Sequence, residues 1–177
     1  MKRLVAGGLI LAAFALLMGA PRGTFAQGGF EQMSGKAFES AIPTNFYLEG
    51  NSIPVDKLHA ALLKTPAGAR LVLAKIDTTG YSSQIQQKYI GMLITEGKVS
   101  VCSVPLSVGS YGFGLERPPA TSNEAAKFYV YNQAGEKVGE CAAKKDNTLK
   151  QPKPLNIVLS KEAGARLYLG RYFVELK

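Results

Sequence analysis

His59 is the sole histidine of this chain, so any Ser–His–acid catalytic arrangement must run through it. Asp56 precedes it by three residues and Ser52 is close by. A nucleophile triad needs a serine or cysteine beside the imidazole and a carboxylate to orient it. No Gly-x-Ser-x-Gly elbow surrounds Ser52, and neighbours within one short segment do not define a triad. His59 is therefore expected as a surface or half-buried residue at the start of a strand.

Paired carboxylates are the next chemistry to weigh. Glycoside cleavage needs two acids converging across a cleft. Among thirteen acids, Asp77, Glu96 and Glu116 stand at the ends of strand-like runs. Such acids usually cap turns, so a hydrolase of unknown type is only the third reading of this chain. The sequence has no Asp-x-Asp-x-Asp calcium loop, phosphate-binding glycine loop or His-Glu-x-x-His. No metal or cofactor is implied.

Cys102 and Cys141 are the only cysteines and form no Cys-x-x-Cys. With one histidine they cannot assemble a four-ligand zinc site. In an oxidising compartment they are expected to form a disulfide, the alternative being two unpaired buried thiols.

Aromatic content is the remaining signal: eight tyrosines and no tryptophan. Tyrosine offers a flat contact with a polar handle, which suits a glycan or small ligand, although packing in a β-domain is its commoner use. Tyr81, Tyr111 and Phe113 are the candidate ligand-binding residues. The Thr-, Ser- and Gln-rich stretch Thr78 to Gln87 is the expected rim of a site.

The elements that would position these residues read as β-structure from Phe46 onward, with short apolar runs broken by Gly, Pro and Asn. Ala67-Gly68-Ala69-Arg70-Leu71-Val72-Leu73 recurs as Ala163-Gly164-Ala165-Arg166-Leu167-Tyr168-Leu169. Each copy follows an apolar run, and its glycine supplies the φ > 0 that a short hairpin loop needs. A third hairpin is expected around Asn132 to Glu136. Ser82 can cap one helical turn that feeds a strand near Tyr89 to Ile94. Val99 to Leu115 reads as a long β run in which Pro105 marks a turn, bulge or edge. Gly112 and Gly114 share the face opposite Tyr111 and Phe113. Such a glycine face either marks a bend, the favoured reading, or admits another backbone or a flat ligand. Ala165 to Leu176 reads as one strand with a bulge near Gly170-Arg171.

The fold expected is all-β, an antiparallel β-sandwich or partly closed barrel of roughly eight to ten strands with at most one short helix. Residues 46–177 would be a single β-domain and 27–45 a linker or loosely ordered arm. Residues 1–26 have the form of a signal peptide: Lys2 and Arg3, an uncharged run from Leu4 to Ala20, and small residues around Ala26. An uncleaved anchor is the alternative. Cleavage would leave no stable transmembrane span and would remove Lys2, Arg3 and Arg22, lowering the net charge from +8 to +5. A secreted or periplasmic location also argues against a nucleic-acid partner, since the basic residues form no aromatic-interleaved stripe.

Leu106-Ser107-Val108-Gly109-Ser110-Tyr111, followed by the aromatic strand from Phe128 to Gly139, resembles uncharacterised secreted bacterial β-sandwich domains. The resemblance covers about a quarter of the chain. It implies the fold and a central strand entered at Leu106 to Tyr111, and carries no catalytic residue. The leading functional expectation is a non-catalytic module that binds an envelope protein or glycan, or supports an envelope assembly. The alternative is a carrier enclosing an apolar small molecule, for which Tyr111 and Phe113 would have to line a cavity.

Overall fold

The computed structural model describes residues 29–119, 125–160 and 164–177. The expected signal segment 1–26, residues 27–28 of the expected arm and residues 161–163 lie outside them. In chain order the elements are β1 (Glu31–Met33), α1 (Lys36–Ala41), β2 (Asn45–Leu48), β3 (Asn51–Lys64), β4 (Arg70–Ile76), α2 (Ser83–Lys88) and β5 (Gly91–Thr95). They continue with β6 (Val99–Val101), β7 (Val104–Leu106), β8 (Gly109–Glu116), β9 (Ala126–Asn132), β10 (Lys137–Lys145), β11 (Asn156–Ser160), β12 (Gly164–Leu169) and β13 (Tyr172–Leu176). All strand pairs are antiparallel, in the order β1-β3-β4-β5-β8-β9-β10-β13-β12-β11. β2, β6 and β7 are attached off this path. β11 returns against β3, so the sheet is nearly closed into a barrel. The fold is all-β, with one more short helix than the sequence suggested.

Alternation along the strands divides the apolar residues between two cores. On β4, Leu71 and Leu73 face the barrel interior, whereas Val72, Ala74 and Ile76 face outward. On β5, Leu93 faces in and Met92 out. The interior is closed by Phe113, Phe128, Val130, Leu167, Leu169, Val174 and Leu176. The Phe113 and Phe128 rings stack with centroids 5.5 Å apart. The outer patch is covered by Ile42, Phe46, Leu48, Ile53, Ile85 and Tyr89, contributed by the N-terminal segment, the β2–β3 hairpin and the α2 segment. A strand that carries a core on each face must be apolar throughout, which is why β4 shows no polar alternation.

The turn chemistry follows the sequence. Gly68, Gly135 and Gly164 all have φ between 75 and 87° at the expected hairpin loops. Ser82 caps α2 by accepting the Ile85 N–H, and α2 feeds β5. Pro105 lies on β7, which among the described residues pairs only with β6, so it sits on an edge.

Three expectations change. The stretch from Gly29 to Thr44 is not a loose arm. β1 pairs with Leu62–Lys64 of β3, Phe30 is buried, and α1 follows. The run from Val99 to Leu115 is three strands, because the chain reverses at Cys102-Ser103 and breaks again at Ser107-Val108, after which β8 pairs with β5 and β9. Leu167 and Val174, assigned to opposite registers of one bulged strand, belong instead to β12 and β13. Gly170 (φ 68°) and Arg171 reverse the chain between Leu169 and Tyr172, which pair. A positive-φ glycine followed by one residue satisfies a two-residue hairpin as readily as a bulge, and pairing with β10 and β12 selects the hairpin.

Cys102 and Cys141 are joined in a disulfide with Cα atoms 6.3 Å apart, tying the β6–β7 turn to β10. No helix among the described residues is long and apolar enough to cross a membrane.

Candidate functional site

The three candidate ligand-binding residues are not brought together. Phe113 is 1% exposed inside the barrel. Tyr111 is half-buried against the same core and donates its hydroxyl to the Ser107 carbonyl at 3.0 Å. Tyr81 packs against the outer core and donates to the Ser52 carbonyl. Phe113 thus fills a dense interior, an arrangement that weighs against a carrier cavity at this position.

The candidate catalytic groups are likewise taken. His59 Nδ1 lies 2.7 Å from Asp56 Oδ2, and Asp56 Oδ1 accepts the Leu58 N–H. The pair closes a register shift in β3 between Asp56 and Ala60. Asp77 caps the Thr79 N–H at the end of β4, while Glu96 makes a two-point contact with Arg70 at the start of β4. Seven residues of extended chain hold Asp77 and Glu96 roughly 20 Å apart, so they do not converge. Glu116 accepts the Tyr129 hydroxyl at 2.6 Å.

What the fold does assemble is a groove between α2 and the outer face of β8–β9. Gln84, Gln87, Lys88, Leu115, Glu116, Tyr129 and Tyr131 line a cavity of ≈ 500 Å³, within the range of small-ligand sites. Register explains its floor. Gly112 pairs with Tyr131 and Gly114 with Tyr129, so the two glycines and the two tyrosines share one face. A Cβ on Gly114 would lie 2.1 Å from the Lys88 carbonyl oxygen, and one on Gly112 would lie 2.7 Å from the Tyr89 ring. The glycine face therefore admits another backbone, the end of α2, rather than marking a bend. Gly114→Ala is expected to lift α2 from the sheet and destabilise by about 1–3 kcal/mol, read as a lowered midpoint in thermal unfolding. An unchanged midpoint would contradict this account of the glycines.

A charge cluster beneath the groove fixes its inner wall. Glu49 and Gly50 form the β2–β3 turn with φ of 49° and 76°, the all-positive pattern of a type I′ hairpin. The Glu49 N–H donates to the Gln133 carbonyl at 2.8 Å. Its carboxylate accepts from Lys88 Nζ and, at 2.7 Å, from the Tyr89 hydroxyl. Lys88 also donates to the Gly135 carbonyl at 2.7 Å and sits 4.8 Å from the Tyr131 ring centroid.

The hydrogen bonds from Lys88 and Tyr89 hold the Glu49 carboxyl below the usual carboxylate range. Burial, reinforced by the adjacent Glu49 carboxylate, pushes the Tyr89 hydroxyl well up. The Glu116 carboxylate pushes Tyr129 up to about 12.

Because the folded pKa of Glu49 is depressed, its contribution is complete above the unfolded value of about 4.3 and fades as pH falls through the folded value. Glu49→Gln should be less stable than the parent at pH 7, with the gap narrowing toward pH 3. Urea midpoints across that range measure it, and a constant gap would refute the ion-pair account.

Nothing in the sequence marks Gln84, Gln87, Lys88, Tyr129 and Tyr131 individually as site residues, and Glu116 stands out only as one of three acids at strand ends. The glycine face and the tyrosine count were each visible, and the Thr78–Gln87 stretch does supply a rim through Gln84 and Gln87. The register that sets Gly112 beside Tyr131 is non-local and leaves no signature in either strand alone. No family model, curated protein or solved structure matches this chain.

Proposed function

We propose that this protein is a non-catalytic extracytoplasmic β-domain that binds a partner, with the α2–β8–β9 groove as its binding face. The observation that carries this reading is the groove itself: two adjacent tyrosines, two helix glutamines and a carboxylate on a rigid glycine-floored wall. Aromatic faces beside a few placed polar groups are the composition of a recognition surface. The Tyr89, Tyr129 and Tyr131 hydroxyls are all held above their ordinary range, which favours binding over turnover. The Cys102–Cys141 disulfide fits an oxidising compartment, as does the signal-like segment before residue 27.

Native mass spectrometry of the protein recovered from its own cell envelope tests this. The parent should carry a stoichiometric adduct that is lost in the double variant Tyr129→Ala, Gln87→Ala. Recovery of bare parent protein, or an adduct retained by the variant, would overturn the reading.

A further inference from the structure

We infer that the groove takes a neutral glycan, a chain of uncharged pyranose units; the inference rests on the groove being the binding face proposed above. The two cations set against its tyrosines are each paired within the protein. Lys88 is paired with Glu49 and Lys137 with Glu140. Glu116 accepts the Tyr129 hydroxyl and stands opposite Lys127 across the β8–β9 ladder. Lys88, the cation among the residues lining the groove, is thus already paired, and an anionic ligand would have to break that pair, while the Glu116 carboxylate is left as an acceptor.

The groups with spare capacity are of another kind. Gln84 and Gln87 are exposed and lie three apart on α2, hence on one side of the helix. Each amide offers two donors and an acceptor, and the Glu116 carboxylate has further lone pairs. Such groups match vicinal hydroxyls, which donate and accept at adjacent positions.

Between them runs an aromatic strip. The Tyr129 and Tyr131 centroids are 6.2 Å apart with planes inclined by 33°, a spacing comparable to the repeat of a β-linked pyranose chain. Lys137 lies 5.7 Å from the Tyr129 centroid and Lys88 4.8 Å from that of Tyr131. These contacts hold the rings in place and lower the ordering cost of binding.

The experiment is titration of the purified protein with cellotetraose and chitotetraose, with tetragalacturonate as the anionic comparison. It is read by calorimetry and by tyrosine emission, which no tryptophan obscures. A neutral tetrasaccharide should bind saturably. The affinity should be indifferent to salt, because no screened charge pair forms. Gln87→Ala and Tyr129→Ala should each weaken binding by about tenfold or more. Gln87 is exposed, so its variant tests the inference even if Tyr129→Ala proves unstable.

Failure of both neutral probes to saturate at millimolar concentration would overturn the inference. So would preferential, salt-sensitive binding of tetragalacturonate, or unchanged affinity in Gln87→Ala. If these titrations fail while the envelope-derived adduct still depends on Tyr129 and Gln87, the ligand class falls and the binding reading stands.

Discussion

Phe113→Ala is expected to cost about 3–5 kcal/mol, the usual loss for a large aromatic removed from a packed core. Phe113 is 1% exposed and stacks on Phe128, which is fully buried, so neither a water nor a neighbouring side chain can readily replace it. For a chain of this size that loss lowers the thermal midpoint by roughly 2–4 °C per kcal/mol. The measurement also separates two views of the barrel. A phenylalanine lining a ligand cavity would be removed at little cost, and the variant would keep its midpoint. A near-native midpoint for Phe113→Ala would therefore revive the carrier reading. Tyr111→Phe is the control on the same strand face. It removes only the hydroxyl that donates to Ser107 and should cost about 1 kcal/mol or less.

Opening the Cys102–Cys141 disulfide is expected to be comparably severe. The bond joins residues 39 positions apart, and the chain-entropy relation gives about 4 kcal/mol for a loop of that size. Cys102 also adopts φ 57° in the β6–β7 turn, a left-handed conformation unfavourable for a residue with a Cβ. The disulfide anchors that turn to β10. Guanidinium denaturation with and without reductant measures the effect, as does the Cys102→Ala, Cys141→Ala pair. A midpoint insensitive to both would show that the β6–β7 hairpin is held by the pairing of β6 to β13 without the disulfide.

Much of the architecture is legible in local patterns. The three hairpin loops at Gly68, Gly135 and Gly164 are readable because positive φ at a tight reversal selects glycine through sterics within a few residues. The Ser82 cap and the edge position of Pro105 are readable for the same reason, since each depends on one side chain and its own backbone. The failures also share a cause. β12 and β13 read as one strand because a positive-φ glycine fits a bulge or a hairpin equally well until a partner strand is known. Residues 27–45 read as loose because a three-residue strand has no period of its own, and the order of the described part comes from pairing with β3.

The candidate site divides along the same line. Tyr81, Tyr111 and Phe113 stand out by residue type, yet pairing sends Phe113 inward while Tyr81 contacts the outer core. Tyr129 and Tyr131 become neighbours of Gly112 and Gly114 only through the β8–β9 register, and Gln87 joins them only because Gly114 lets α2 approach.

By itself, then, the sequence determined the all-β class, the hairpin loops, the helix cap and the two cysteines available to pair. These are consequences of local sterics and of apolar runs that must be buried. The tertiary structure alone decided that the glycine face is covered by α2, that Phe113 fills a core, and that tyrosines, glutamines and a compensated charge cluster meet in one groove. Each depends on strand register, which is set by the summed burial of side chains distant in sequence.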